Sequence, residues 1–198
     1  MRSATLLLLA LTGTLSAAPD ATPYPATPSP KGLQVQMVPD ALELGIHHAG
    51  LNLNLTALLL PEPKPDQPSV TVDGFTFGIN ERYARQLDRS IQPLSDRGVV
   101  VTLILIAYRS GDPRIDALAL HPQATPGQGT TIAANTVTPE GRACYRALTG
   151  FIARRWSGTD ASHGRVWGWV ISNEVNSHHE WHQMGPATTA EVAQQYED

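Results

Sequence analysis

The chain has 198 residues, of which 41% are hydrophobic and 16% are charged, and its formal net charge at pH 7 is -4. This composition is typical of a folded globular protein and excludes an intrinsically disordered chain. No block of basic residues is present in the sequence, which argues against nucleic acid as a partner.

The first residues have the pattern of a secretory signal peptide. Arg2 supplies the positive start, residues 4–15 form an apolar stretch, and the small residues 16–18 offer a cleavage site. A membrane anchor is the alternative, but the apolar stretch is shorter than the ~20 residues that a spanning helix needs. We therefore predict a signal peptide over residues 1–18, a secreted or periplasmic protein, and no membrane association after cleavage.

A proline-rich segment, PDATPYPATPSP, follows over residues 19–30. Such a composition is typical of an extended, stiff linker, so the folded part is expected to begin near Lys31. Cys144 is the single cysteine, which excludes an internal disulfide. Its place in a predicted helix favours a buried small side chain over a nucleophile.

Four segments have the pattern of strands in a parallel sheet. The clearest is VVVTLILI at residues 99–106, because continuous aliphatic residues indicate a strand buried on both faces. The other three segments are residues 32–38, 45–53 and 166–172. Helical patterns separate the later strands, and this alternation favours an α/β fold with a parallel sheet.

Several local signals place the remaining elements. Asn80 and Thr138 each cap a predicted helix, and Thr188 with Glu191 forms a capping box at the start of another. An Asp-Gly pair inside the alternating segment 70–77 predicts a hairpin. The loop over residues 110–137 is long for a compact domain, and such loops are functional lids or disordered segments.

The stretch VWGWVISNEVNSHHEWHQMG, residues 166–185, carries the main candidate for chemistry. Its apolar part ends at Asn173 and Glu174. A carboxyl group at the end of a buried strand is costly unless it has a partner or a function. In a barrel of parallel strands, active sites lie at that end of the strands. The position marks Glu174 as the candidate functional carboxylate.

Trp169, Ile171, Asn173 and Glu174 resemble the fourth strand of the clan A glycoside hydrolases, (β/α)8 enzymes whose acid/base glutamate follows an asparagine. The strings NEVNSHHEWHQMG and DALELGIHHAGLNLNL more closely resemble an uncharacterised bacterial family related to that clan. Residues 166–172 are also the fourth strand by count, in agreement with the motif.

The resemblance implies an incomplete α/β fold of the (β/α)8 TIM-barrel type, with about strands 1 to 4 and the start of helix 4. A complete barrel takes about 250 residues. Residues 31–198 are therefore expected to be the N-terminal half of a glycoside hydrolase-like barrel in a longer protein. The clan's nucleophile lies on the seventh strand, so it is expected outside this sequence, and the 198-residue chain alone is expected to be inactive.

For the chemistry, the resemblance implies retaining acid/base hydrolysis of a carbohydrate, with Glu174 as the acid/base and Asn173 donating to a sugar hydroxyl. Trp181 offers a flat ring that can stack on the sugar. The further candidates for substrate contacts are Asn176, His179, His47 and Arg109. For Arg109 a structural ion pair is an equal alternative, and for His47 a role in satisfying backbone groups is the stronger one.

Two other functional classes remain open at this point. One is a non-catalytic carbohydrate-binding or surface protein on a barrel scaffold. The other is a zinc site, but the zinc-protease pattern His-Glu-x-x-His is one residue short in His179-Glu180-Trp181-His182. We therefore predict no metal and no cofactor. The sugar, its linkage and the oligomeric state are left open.

Overall fold

The computed structural model describes residues 22–197. The predicted signal peptide and the first residues of the predicted linker lie outside this range. In chain order, the elements are β1 (Gly32–Gln34), α1 (Val38–Glu43), β2 (His48–Asn54), α2 (Leu55–Leu58), β3 (Leu59–Leu60), β4 (Ser69–Val72), β5 (Phe75–Ile79), α3 (Glu81–Ser95), β6 (Val100–Ile106), α4 (Pro113–Ala119), α5 (Pro139–Arg155), β7 (Gly168–Ile171) and α6 (Thr189–Glu197).

A parallel sheet in the order β1-β2-β6-β7 lies at the centre of the fold. Each strand pairs with the one that precedes it along the sheet, and Leu105 of β6 lies beside Leu53 of β2 and Ile171 of β7. This arrangement confirms the predicted α/β class with a parallel sheet. The four strands fall inside or within one residue of the predicted segments, although β1 ends at Gln34 because a helix with Pro39 in its first turn starts soon after.

The sheet is buried at its centre and open along β7. Val101, Leu103 and Leu105 of β6 are at most 3% exposed. In β7, by contrast, Val170 and Ile171 are 41% and 52% exposed. The continuous apolar pattern of β6 therefore reflects helices and loops that cover both faces, while β7 lies at the edge of the sheet.

The predicted hairpin is part of a second, antiparallel sheet with the order β3-β5-β4. Asp73 and Gly74 connect β4 to β5, with φ angles of 52° and 85°. Two successive left-handed residues are the requirement of the tightest hairpin turns, and the Asp-Gly pair meets it. The hairpin packs on α5.

The caps of the two long helices confirm the predictions. The Asn80 side chain accepts a hydrogen bond from the backbone N–H of Tyr83 at the start of α3, and the Thr138 hydroxyl accepts one from Gly141 at the start of α5. Cys144 is buried in α5. Burial raises the pKa of its thiol to about 12, with a smaller contribution from Glu140, so the group stays protonated.

One buried group of charges joins α3 to the end of α5. Asp88 accepts hydrogen bonds from Arg155 at 2.7 and 3.0 Å and from the indole N–H of Trp156 at 2.9 Å. Its other contact is Nδ1 of His163, at 3.0 Å. Burial raises the pKa of Asp88, but the hydrogen bonds from Arg155 and Trp156 outweigh this effect and the pKa lies below its usual value. The ionised carboxylate therefore fastens the two helices together.

Residues 22–30 of the predicted linker lie against the domain. The ring of Tyr24 packs edge-on against Trp167, with 5.8 Å between the centroids. The Thr27 hydroxyl lies 2.9 Å from Nε2 of His48. This segment therefore contacts the domain at β2 and just before β7. Between residues 22 and 197, none of the helices has the length and apolar character that crossing a bilayer would require.

Candidate functional site

The loops that follow β6 and β7 meet above the carboxyl ends of the parallel strands. We call residues 120–137 and 172–188 together the loop layer. Gln183 joins its two halves, since its N–H donates to the Thr131 carbonyl at 3.0 Å and its carbonyl accepts from Ala133 at 3.2 Å. The Ile132 N–H in turn donates to Ala107, directly after β6, at 2.9 Å. The long predicted loop is therefore α4 followed by a segment that is hydrogen-bonded to its neighbour.

Two glycines allow the halves of the loop layer to approach each other. Gly185 has a φ of 78°, and a Cβ at this position would lie 2.0 Å from the Gln123 carbonyl oxygen. Gly129, with a φ of 73°, leaves room for the Gln183 side chain, which a Cβ would meet at 2.6 Å. Any other residue would push the two segments apart. The apolar side chains of Ala133, Met184 and Val192 then tie the loop layer to α6.

Beneath the loop layer is a cavity of about 200 Å³. Its floor consists of residues at the ends of β6 and β7, and its walls include Ile132 and His182 of the loop layer and Gln195 of α6. It shares Thr136, Tyr145 and Gln195 with a wider cleft of about 720 Å³. The cavity is mostly apolar, and Ser172 and His182 are the polar groups at the end of β7.

His182 is the most perturbed ionisable group of the cavity. Its side chain is 4% exposed, and Nδ1 lies 2.7 Å from the Oγ atom of Ser172. Burial lowers the pKa of His182 to about 4, with further contributions from His121 and His178. The pKa of His121 is also lowered by burial, against the effect of its hydrogen bond with Gln195. Both imidazoles are therefore neutral at pH 7.

Acidification is expected to destabilise the fold through His182. An unfolded histidine has a pKa near 6.5 and the folded His182 one of about 4. Between these values the unfolded state binds the proton and the folded state does not, so the free energy of unfolding falls as the pH decreases, by up to about 3 kcal/mol in total. Denaturant titrations between pH 7 and pH 4 measure this slope.

The matched comparison for this measurement uses two histidines of the same loop. His182→Gln should have a clearly smaller decrease in stability over the same pH range than the wild type. His179→Gln should retain the wild-type slope, because it leaves His182 and its contact with Ser172 in place. A wild-type slope in His182→Gln would show that another group causes the pH dependence.

The backbone at the end of β7 is unusual. Ser172 and Glu174 have φ angles of 66° and 49°, in the left-handed region that L-residues other than asparagine and aspartate rarely occupy. The carbonyl of Glu174 accepts a hydrogen bond from Ser177 at 2.7 Å, which closes the turn. Such a strained backbone conformation persists only where the surrounding contacts hold the residue in it, and it is common at functional sites.

Five of the sequence-predicted site residues lie on the loop after β7. Glu174, Asn176 and His179 are exposed, Asn173 is half-buried, and Trp181 is 42% exposed. The structure therefore brings these five residues onto one loop at the carboxyl ends of the strands. None of them lines the 200 Å³ cavity below.

The other two predicted site residues lie elsewhere. Arg109 follows β6 at the same end of the sheet, but its guanidinium donates to the Thr125 carbonyl at 2.7 Å, so it fastens the loop layer. His47 directly precedes β2, where its carbonyl accepts from Val100 at the amino ends of the strands. A seven-residue strand separates it from the opposite end by about 20 Å. The structure thus does not bring His47 together with Glu174, because His47 precedes β2 and Glu174 follows β7, at opposite ends of parallel strands.

Sequence reasoning missed Ser172 as a partner of His182, and it missed His121 and Gln195 as neighbours of the cavity. The ten-residue separation of Ser172 and His182 has no recognisable period, so only the folded loop brings them together. In the sequence, His182 stands out only as a candidate metal ligand. Among residues 22–197, no group of three or more His, Cys, Asp and Glu side chains is arranged to hold a metal ion.

Comparison with known proteins identifies a family for this chain. Residues 23–198 match a family of unknown function, DUF5722. No curated protein and no solved structure matches the chain. The match begins within the predicted linker, next to Tyr24, whose ring packs against Trp167.

Proposed function

This chain belongs to DUF5722, a family of unknown function, and we propose that it is an exported glycoside hydrolase-like protein that acts on a carbohydrate by retaining acid/base catalysis. In this proposal the scaffold is a (β/α)8 barrel, and β1, β2, β6 and β7 are its first four strands. The nucleophile is a carboxylate outside the 198 residues. Export rests on the signal-peptide pattern of the first 18 residues.

The position of Glu174 carries the proposal. It lies three residues after the end of β7, at the carboxyl ends of parallel strands that follow one another in sequence across the sheet. This is the end at which barrel enzymes carry their active sites. Glu174 is exposed, and its φ of 49°, like the 66° of Ser172, lies in the left-handed region.

Each nearby group has a defined role in the proposed reaction. Glu174 donates a proton to the departing glycosidic oxygen and then activates the water that releases the sugar. Asn173 donates a hydrogen bond to a sugar hydroxyl next to the reacting carbon. The exposed ring of Trp181 stacks on the apolar face of a sugar unit. Asn176 and His179 contribute further polar contacts from the same loop.

Glu174→Gln in the complete gene product tests the acid/base role. The glutamine cannot supply a proton, so hydrolysis of glycosides with poor leaving groups should fall by about 10²–10⁴-fold. Glycosides with an activated leaving group, such as dinitrophenol, do not need protonation, and the loss in the glycosylation step should be much smaller. The measurement is a comparison of kcat/KM over a series of aryl glycosides of decreasing leaving-group pKa.

Glu180→Gln is the matched control, because it removes an exposed carboxylate of the same loop and keeps the oxygen that accepts from the Thr130 hydroxyl at 3.0 Å. It should retain wild-type kinetics. An equal loss for all leaving groups in Glu174→Gln, or no loss at all, contradicts an acid/base role for Glu174.

A second candidate, a non-catalytic carbohydrate-binding protein, is favoured by one observation. Glu174 and Trp181 are both exposed, a geometry that suits binding to a polysaccharide surface as well as catalysis. In that case polysaccharide binding, measured by calorimetry or a pull-down on insoluble glycans, depends on Trp181 and persists in Glu174→Gln, and neither the wild type nor the variant hydrolyses a glycoside.

A further inference from the structure

Ser172 and His182 form a pair that the proposed glycosidase chemistry does not use. The Oγ atom of Ser172 lies 2.7 Å from Nδ1 of His182, within the range at which a base can accept a hydroxyl proton. Both residues line the 200 Å³ cavity. A hydroxyl, an imidazole and a space for a ligand therefore converge at the end of β7.

The backbone supports a role for Ser172 beyond packing. Its φ of 66° places a non-glycine residue in the left-handed region directly after the last residue of β7. Nucleophilic serines in other enzymes are presented on sharp, strained turns at the ends of strands, because such a turn exposes the hydroxyl to the site. Here the turn brings the hydroxyl to the wall of the cavity, beside the imidazole.

The surroundings of His182 suit the role of a base that starts neutral. Buried His121 and His178 are its ionisable neighbours, and both disfavour a positive charge on it. In the tautomer that carries its proton on Nε2, a neutral imidazole has an acceptor at Nδ1. The Ser172 hydroxyl can then donate to Nδ1.

The rest of the cavity indicates the chemical class of the ligand. Besides Ser172 and His182, the lining includes the apolar side chains of Leu55, Leu105, Ile106 and Ile132. A short acyl chain fits such a surface, whereas a sugar ring with its hydroxyls does not. The wider cleft, which shares Tyr145 and Gln195 with the cavity, accommodates a larger alcohol portion outside it.

We propose that Ser172 and His182 are a nucleophile and a base that hydrolyse short-chain acyl esters in this cavity. Oγ forms a bond to the ester carbonyl carbon while its proton moves to Nδ1 of His182. The bond between that carbon and the alkoxy oxygen breaks, and the alcohol leaves with the proton. A water molecule then attacks the carbonyl carbon of the acyl-serine and gives a proton to Nδ1 of His182. The bond between that carbon and Oγ breaks and Oγ takes the proton back, which releases the carboxylic acid and regenerates Ser172.

The test uses the full chain and a fluorophosphonate probe, which forms a bond to a nucleophilic serine oxygen and releases fluoride. We expect an adduct on the peptide that contains Ser172, found by mass spectrometry, together with hydrolysis of p-nitrophenyl acetate. Ser172→Gly should abolish both signals, and its glycine is compatible with the left-handed φ, so the fold is retained. His182→Gln should slow both by about 100-fold.

Ser177→Ala is the matched control on the same loop. The Ser177 carbonyl accepts from the N–H groups of Glu180, Trp181 and His182, and alanine keeps that carbonyl, so labelling and ester hydrolysis should remain at the wild-type level. Absence of an adduct at Ser172, or undiminished reactivity in Ser172→Gly or in correctly folded His182→Gln, overturns the proposal. The esterase proposal is independent of the glycosidase proposal, which is tested by the effect of Glu174→Gln on glycoside hydrolysis.

Discussion

Asp88→Ala is expected to lower the free energy of unfolding by about 3–5 kcal/mol, because it leaves a buried cation without its closest partner. Arg155 donates two hydrogen bonds to Asp88, and its side chain is 8% exposed. The indole N–H of Trp156 and the ring of His163 lose their acceptor in the same variant. Glu81 still binds Arg155 at 2.9 Å, so part of the charge remains compensated.

Chemical denaturation followed by tryptophan fluorescence measures this loss, since Trp156 is fully buried beside Asp88. Arg85→Ala is the control on the same helix. Its ion pair with Glu81 is 3.7 Å long and its side chain is 62% exposed, so removing it should change stability by less than about 0.5 kcal/mol. If Asp88→Ala cost no more than the control, Arg155 would be solvated or held by Glu81 alone.

Gly185→Ala is expected to open the loop layer above the cavity. A Cβ at residue 185 would overlap the Gln123 carbonyl oxygen, and a backbone atom has no rotamer by which to move aside. The φ of 78° adds about 1–2 kcal/mol of backbone strain for alanine. Together these effects should lower the free energy of unfolding by several kcal/mol or separate the two loops. Hydrogen exchange at Ala133 and Gln183, whose backbone groups pair across the loops, measures the separation.

Gly127→Ala separates strain from overlap. Gly127 lies in the same loop layer with a φ of 73°, and nothing would lie within 4 Å of a Cβ added to it. The free energy of unfolding of this variant should fall only by the backbone strain of about 1–2 kcal/mol. The hydrogen-exchange rate at Gln183 should remain that of the wild type. Equal losses in the two glycine variants would mean that the two halves of the loop layer are not in close contact in solution.

The sequence determined those features of the protein that depend on neighbouring residues. The aliphatic run of β6 predicts a strand buried on both faces, and the side chains of Asn80 and Thr138 predict the starts of α3 and α5, because a cap satisfies backbone groups two or three residues away. The Asp-Gly pair likewise fixed the hairpin, since both residues adopt the left-handed conformation that the turn requires.

The tertiary structure decided which distant side chains meet. His47 lies at the amino ends of the strands, Arg109 binds the loop layer, and Ser172 pairs with His182. The position of His47 follows from the start of β2, whereas the contacts of Arg109 and Ser172 depend on the turn after β7 and on the packing of two loops that are far apart along the chain. Neither leaves a periodic pattern in the sequence, so the cavity and its serine-histidine pair became visible only in the folded protein.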